Sequence, residues 1–326
     1  MEYMPEFTVA RPATVAEAVA MRAADPEARF VAGGTDLVPN IRRGIVAPAK
    51  VIDLNGLEEI RKIESVDGGL RIGAAVTLAE LIEDGRLRAD YTGIVEAAGA
   101  VAATSHRQVG TVGGNLCLDT RCLFYNQSEW WRRSNDYCLK SRGDVCHVAP
   151  KGDHCFAAFS GDLAPALMVL GAAAEIASPS GGRIIPLTGM YQDDGLAYLL
   201  LGADEMLVAV RVPAPVRGLK TGYAKSRVRG AIDFPLAGVA VGLRRDADAV
   251  VDLSVALTGT NSMPLMIEGT GALTGAPPDD AMLARLDGLV RDRIQPMSST
   301  FSPPGYRRRV VAKLTRSLIR RLYREG

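Results

Sequence analysis

All five cysteines of this chain fall between Cys117 and Cys155, in the spacing Cys117-x4-Cys122-x15-Cys138-x7-Cys146-x8-Cys155. A protein that used cysteine only as a small buried apolar residue would scatter it. Crowded into one segment, the thiolates are expected to act together, on a metal, on a cluster or on each other. Directly upstream runs Thr111-Val112-Gly113-Gly114-Asn115, and a similar run, Ala32-Gly33-Gly34-Thr35-Asp36-Leu37, lies near the N-terminus. Glycines at such turns let the backbone approach a ligand closely, and exposed N–H groups beside them suit phosphate oxygens. Two such loops could hold the two ends of a pyrophosphate. Neither is a Rossmann fingerprint, and Gly269-Thr270-Gly271 lacks the third glycine at the right spacing, which disfavours an NAD-type site. With only three histidines, no nucleophile-and-base arrangement stands out, so no catalytic residue is expected on this chain.

The elements that must position these loops are legible in outline. Thr14-Val15-Ala16-Glu17 and Thr77-Leu78-Ala79-Glu80 are capping boxes that open helices, the first running to about Ala24. Ala28–Ala32 and Val51–Leu54 read as strands, Leu37–Arg43 as a short helix, and Arg61–Ile72 as a hairpin turning at Asp67-Gly68-Gly69. An alanine-rich helix over Tyr91–Ala103 leads into the second glycine loop. From Cys117 to Cys155 neither the strand nor the helix period persists, which in a compact domain marks a functional or disordered segment. Pattern resumes with a helix from Asp162 to Leu170 and strands at Ala174–Ala177, Arg183–Pro186 and Met206–Val212. Pro213 and Pro215 mark a domain boundary. Beyond it, Gly222–Val228 and Leu253–Thr258 read as strands, and Asp279–Ile294 and Tyr306–Tyr323 as helices. The last carries an apolar stripe through Val311, Leu318 and Leu322, and a basic face, including Arg307, that is expected to be solvated.

Composition narrows the function classes. At 326 residues the chain exceeds one ordinary hydrophobic core, so two domains are expected. A net charge of +1 gives no field that would attract nucleic acid or an anionic membrane. No apolar run reaches the length of a membrane span, and Met1-Glu2-Tyr3-Met4-Pro5-Glu6 lacks the features of a secretory leader. The expected location is cytoplasmic, where clustered cysteines are metal or redox groups more often than disulfides.

Five motifs in order carry a resemblance: Ala32–Leu37, Ile72–Thr77, Gly110–Asn115, Asp162–Leu167, and Lys225 ahead of Asp233-Phe234-Pro235. Through them the chain resembles the FAD-binding (medium) subunit of the xanthine oxidase / carbon monoxide dehydrogenase family of molybdenum hydroxylases. The resemblance implies an α+β fold of the vanillyl-alcohol-oxidase/molybdenum-hydroxylase flavoprotein type. Residues 1–216 would form a FAD-binding domain with sub-domains of about 1–55 and 56–216, and residues 217–326 a small α+β C-terminal domain. It further implies that Val31, Ala32, Gly33, Gly34, Thr35, Asp36 and Leu37, with Gly110, Thr111, Val112, Gly113, Gly114 and Asn115, cradle the FAD pyrophosphate. Val101 would lie against the cofactor, Asp162 near its adenosine, Leu207 in the adenine pocket and Lys225 by the flavin ring. A positive charge there would stabilise an anionic reduced flavin.

The segment at about 117–158 departs from the common family pattern by roughly forty residues, a length tolerated for a functional loop. It resembles the insertion in the β subunit of 4-hydroxybenzoyl-CoA reductases, which carries a [4Fe-4S] cluster. That resemblance implies Cys122, Cys138, Cys146 and Cys155 as ligands, one thiolate per iron, with Cys117 a buried wall residue beside the flavin. The competing reading is a structural zinc site of the same thiolates, with His147 and His154 able to complete a mixed set. Phe124, Tyr125, Trp130 and Trp131 would shield a cluster or form the insertion's own small core.

The implied function is electron transfer in a reductase complex of anaerobic aromatic degradation. Electrons from a ferredoxin-like donor would pass through [4Fe-4S] and FAD to a [2Fe-2S] subunit and a molybdenum-cofactor subunit that dehydroxylates an aromatic acyl-CoA. The assembly would be a dimer of heterotrimers. The alternative is the flavoprotein subunit of an oxidative aromatic or heterocycle hydroxylase whose cysteine loop is structural.

Overall fold

Three sheets organise the chain, in a computed structural model that describes residues 4–298 and 302–326. Met1–Tyr3, part of the leader reading above, lie outside the described residues. The first sheet is parallel, with β1 (Thr8–Ala10), β2 (Arg29–Val31) and β3 (Lys50–Asp53) in the order β1-β3-β2. Parallel neighbours need crossovers: the helix Leu37–Arg42 lies in the one from β2 to β3, and β1 is joined to β2 by the helix Val15–Ala24. Its N-cap Thr14 accepts from the N–H of Glu17, while the Glu17 carboxylate reaches back to the N–H of Ala13 rather than to that of Thr14. At Thr77 the capping box is complete in both directions.

The second sheet is antiparallel, in the order β4-β5-β8-β6-β7, from β4 (Ile63–Val66), β5 (Gly69–Gly73), β6 (Ala173–Ser178), β7 (Gly181–Pro186) and β8 (Met206–Val212). The β4–β5 hairpin turns where expected, with Asp67 and Gly68 both at positive φ. Strand β8 is central and buried at all but one position, with Val210 and Val212 in the main core and Met206 and Val208 in the core beneath the first sheet. The predicted Tyr91–Ala103 helix is shorter, Thr92–Ala100. Val101 is extended and Ala102 takes a φ of 43°, so the chain turns there before the short helix Thr104–Arg107. An unpredicted helix, Gly85–Asp90, starts at Asp84, whose side chain accepts from the N–H groups of Arg86 and Leu87.

The third sheet belongs to the C-terminal part, with β9 (Leu219–Ser226), β10 (Ala237–Asp246), β11 (Ala249–Thr258) and β12 (Leu265–Met266) in the order β12-β11-β10-β9. The sequence gives no strand signal for β10, because its Ala and Gly positions are buried on both faces and show no alternation. Helices Asp280–Arg293 and Pro304–Glu325 cover one face of this sheet through Leu283, Leu286, Val311, Leu318 and Ile319. The fully solvated basic face expected for the last helix needs correction at Arg307. That side chain is buried and donates to the carbonyl oxygen of Gly259 at 3.2 Å.

The two parts meet where helix Thr92–Ala100 lies on β9. The Thr92 hydroxyl donates to the Thr221 carbonyl at 2.7 Å, and Gly93 N–H to the Thr221 hydroxyl at 3.1 Å. Glu96 accepts from the N–H of Tyr223 and from Arg321, both at 2.7 Å.

Candidate cofactor site

The two glycine loops are neighbours in space. A methyl group at Gly33 would overlap the carbonyl oxygen of Val109, so only glycine lets the first loop pack on the second. Gly34 follows at a φ of 67°, the left-handed region that a side chain disfavours. Among the described residues, the N–H groups of Gly33, Gly34, Thr35 and Asp36 donate to no protein acceptor. Consecutive free N–H groups of this kind form a concavity for phosphate oxygens. The second loop is held from below, with Val112 N–H on Val76 and Gly113 N–H on Ala74, and Thr111 capping Gly114 at 3.1 Å. These contacts fit a cradle for the FAD pyrophosphate, with rigid backbone on both sides.

Two residues that the resemblance assigns to different parts of the cofactor are brought together. Asp162 and Lys225, assigned to opposite ends of the cofactor, touch: Lys225 Nζ lies 2.9 Å from Asp162 Oδ2 and 3.1 Å from the Ala100 carbonyl. The other carboxylate oxygen accepts from Tyr223 Oη at 2.5 Å. Both members of the pair are almost wholly buried. Burial pushes Asp162 up and Lys225 down, against their mutual attraction. The three side chains therefore form one locus beside Val101, which Arg107 fixes through its carbonyl at 2.7 Å. Leu207 is buried in the main core on β8. Tyr223 was missed in the sequence because a lone tyrosine in a strand carries no signal of its partner 61 residues away.

The cysteine segment folds over the first loop. Cys122, Cys138, Cys146 and Cys155 line one cavity, with Phe124, Leu139, Lys140, His147 and Val148 completing its wall. The thiols are within electrostatic reach of one another, Cys122 of Cys138 and Cys146, and Cys155 of Cys122 and Cys146. Burial pushes Cys122 up to about 11 and Cys155 to about 12. Among the described residues, however, no group of three or more His, Cys, Asp or Glu side chains is gathered as a ligand set for a metal ion. The expected quartet thus lines one small cavity of about 10 Å³ and does not converge on a common point. His154 is turned away, stacked on Phe156 and bonded to Asp153, so the mixed His and Cys set is not assembled. Phe124 and Tyr125 are buried with Cys138 and Ile45 in a small core, while Trp130 is 74% exposed and shields nothing. The Cys117 residue is partly exposed on its surface, yet its thiol is enclosed and pushed up to about 12 by burial.

A chain of alternating charges joins this cavity to the first glycine loop. Asp36 accepts from Arg121 at 3.1 Å, Arg121 also pairs with Asp119, and Asp119 accepts from Lys140 at 2.8 Å. Burial would push Asp119 up, but Lys140 and Arg121 outweigh it and hold its carboxyl below the usual range.

Two glycine loops packed on each other in an α+β fold with an appended antiparallel sheet fit a flavoprotein of the molybdenum-enzyme type. The family model described as the FAD binding domain in molybdopterin dehydrogenase matches residues 5–215, and the CO dehydrogenase flavoprotein C-terminal domain matches residues 222–322. The chain belongs to this family, the FAD-binding medium subunits of the xanthine oxidase / carbon monoxide dehydrogenase group. It is 36% identical to the aldehyde oxidoreductase FAD-binding subunit PaoB of Escherichia coli K12, over 82% of this chain and 86% of that one. It is 28% identical to the carbon monoxide dehydrogenase medium chain of Afipia carboxidovorans, over 97% and 96%. The reconstituted CO dehydrogenase of Oligotropha carboxidovorans superposes with a TM-score of 0.82 at 25% identity, covering 99% of this chain and 100% of that one. The chain is an FAD-binding oxidoreductase subunit, and no helix among the described residues is long and apolar enough to cross a membrane.

Proposed function

We propose that the chain is the electron-transfer subunit of a molybdenum enzyme and holds a [4Fe-4S] cluster as well as FAD. The observation that carries the cluster is the cavity shared by Cys122, Cys138, Cys146 and Cys155 beside the flavin loop. A cubane binds one thiolate at each of four irons, so its ligands must surround a space instead of meeting at one atom. FAD, when bound, supplies exchange of one or two electrons between single-electron centres and a two-electron reaction. The residues Val31–Leu37 and Gly110–Asn115 bind and orient its pyrophosphate. Lys225, held by Asp162 and the Ala100 carbonyl, places a positive charge in a buried position next to Val101. Residues 1–216, with the insertion at about 117–158, are assigned to the cofactor domain, and 217–326 to the domain that closes over it.

The substrate site lies on a partner chain with the molybdenum cofactor, and a second partner carries [2Fe-2S] centres. The 36% identity to an aldehyde oxidoreductase subunit favours oxidation of an aldehyde, with electrons arriving at this chain. A second reading runs the other way: a ferredoxin-like donor feeds the cluster, and the complex reduces an aromatic acyl-CoA in the manner of 4-hydroxybenzoyl-CoA reductases. The four-thiol cavity favours it, as an added port for electrons.

The test is purification of the complex without oxygen, with iron, sulfide, zinc and flavin determined. About four irons per chain beyond those of the [2Fe-2S] partner support the cluster, whereas zinc without that extra iron overturns it. Replacing Cys122, Cys138, Cys146 or Cys155 by Ser is expected to remove that iron, and Cys117→Ser to retain it. Turnover of aromatic aldehydes with an artificial acceptor, against turnover of an aromatic acyl-CoA with a reduced donor, separates the two directions.

A further inference from the structure

Among the described residues, Lys140 is the lysine on the wall of the thiol cavity, and its ammonium is paired with the partly exposed Asp119 carboxylate. Its side chain is only 5% exposed. The ammonium is pinned on several sides: 2.8 Å from Asp119 Oδ1, 2.6 Å from the Thr120 hydroxyl, and in contact with the Gly195 carbonyl oxygen. The rings of Tyr125 and Tyr198 face it at 5.3 and 5.7 Å. Such a charge is fixed in position and poorly screened, and Gly195, whose carbonyl accepts from it, donates its own N–H to the Cys155 carbonyl at 2.7 Å.

We propose that Lys140 sets the reduction potential of the cluster held by Cys122, Cys138, Cys146 and Cys155, and that Asp119 opposes it. This rests on the cluster reading above. Reduction adds one negative charge to the cluster. A neighbouring cation stabilises the reduced form and raises the potential, and a neighbouring carboxylate lowers it. Lys140 stands at the cavity wall, whereas Asp119 lies behind it and shares its charge with Arg121. The cation is therefore the nearer and dominant influence.

The same side chain ties the cavity to the flavin side. Tyr198, whose ring faces Lys140, donates its hydroxyl to the Cys117 carbonyl at 2.8 Å, and Cys117 ends the helix Val112–Leu116 of the second glycine loop. Through Asp119 and Arg121 the ammonium is also linked to Asp36 in the first loop. Lys140 is thus a positioning residue as well as a charge, locking the insertion onto both loops. Cluster and flavin would be held at a constant separation.

The experiment is a redox titration of the full complex, prepared without oxygen, with the cluster followed by electron paramagnetic resonance. In Lys140→Met the ratio of reduced to oxidised cluster at the wild-type midpoint is expected to fall about tenfold, about 59 mV for a one-electron couple. Asp119→Asn is expected to shift it in the opposite direction, and Lys140→Arg to stay close to wild type. A purely structural role would not reverse sign between the two neutralising variants. A loaded cluster whose potential ignores Lys140→Met and Asp119→Asn overturns this inference alone. A wild-type complex without the additional iron and sulfide overturns the cluster reading and this inference together. If Lys140→Met does not assemble, Asp119→Asn and Lys140→Arg still decide the matter, because an unshifted Asp119→Asn overturns it.

Discussion

At the scale of single residues, the packing of the two glycine loops depends on a side chain that Gly33 lacks. Gly33 has no side chain because the Val109 carbonyl oxygen occupies the place where a Cβ would be. That neighbour is backbone and cannot rotate away. Gly33→Ala is therefore expected to push the two loops apart, to cost roughly 1–3 kcal/mol through overpacking, and to lose most of the bound FAD. Flavin absorbance of the purified chain and its melting temperature check this, and full flavin content would contradict it. The Asp162, Tyr223 and Lys225 locus works by the opposite means, through added groups. A buried carboxylate and ammonium are tolerable only because each is hydrogen-bonded as well as paired.

At the scale of elements, the second sheet is knit by one carboxylate on its central strands. Glu175 of β6 accepts from Arg71 of β5, at 3.1 and 3.0 Å, and from Arg211 of β8 at 3.0 Å. Burial pushes its carboxyl up, but the hydrogen bonds from Arg71 and Arg211 outweigh this and hold it below the ordinary value. A carboxyl lowered in the folded state contributes stability above its unfolded pKa, and that contribution is lost as pH falls through the folded one. Glu175→Gln is thus expected to cost about 1 kcal/mol near neutral pH, after allowance for solvent screening. The gap from wild type should close in acid, below the usual carboxylate range. Denaturant titrations at both pH values measure it, and a gap that widens in acid would refute the sign.

At the scale of the whole molecule, the two domains share a core that takes in Tyr223, Ala240 and Ala256 of the C-terminal sheet, and a polar contact at its edge helps to set their register. Glu96 on helix Thr92–Ala100 accepts from the Tyr223 N–H and from Arg321 of the C-terminal helix. Tyr223 and Lys225 lie on the same strand, so the contact between the domains also aligns the locus of Asp162, Tyr223 and Lys225. Glu96→Ala is expected to weaken docking by about 1–3 kcal/mol, since it strands a buried N–H as well as removing an ion pair. Calorimetry should then resolve two transitions where the wild type has one, with faster proteolysis near Pro213 and Pro215. A single unshifted transition would show that docking does not depend on Glu96.

What could be read along the chain was local. Thr77 and Glu80 are three residues apart, and their reciprocal bonds follow from helix geometry alone. The Asp67–Gly68 turn, the glycine pairs and the crowding of cysteines are likewise short-range patterns, and five motifs in order were enough to point to the family. What could not be read was non-local. Strand β10 is buried on both faces, so neighbours erased the alternation that would have announced it. Arg307 looks solvated on a helical wheel, yet the turn at Gly259 covers it. Asp162 and Lys225 are 63 residues apart, and Lys140 reaches Gly195 across 55. No propensity or spacing encodes such pairs, because they form only when separate elements pack and leave buried charges that must find partners. The crowding of the cysteines and the two glycine loops are therefore properties of sequence. The facing of four thiols on one cavity, and the charge that stands beside them, are properties of packing.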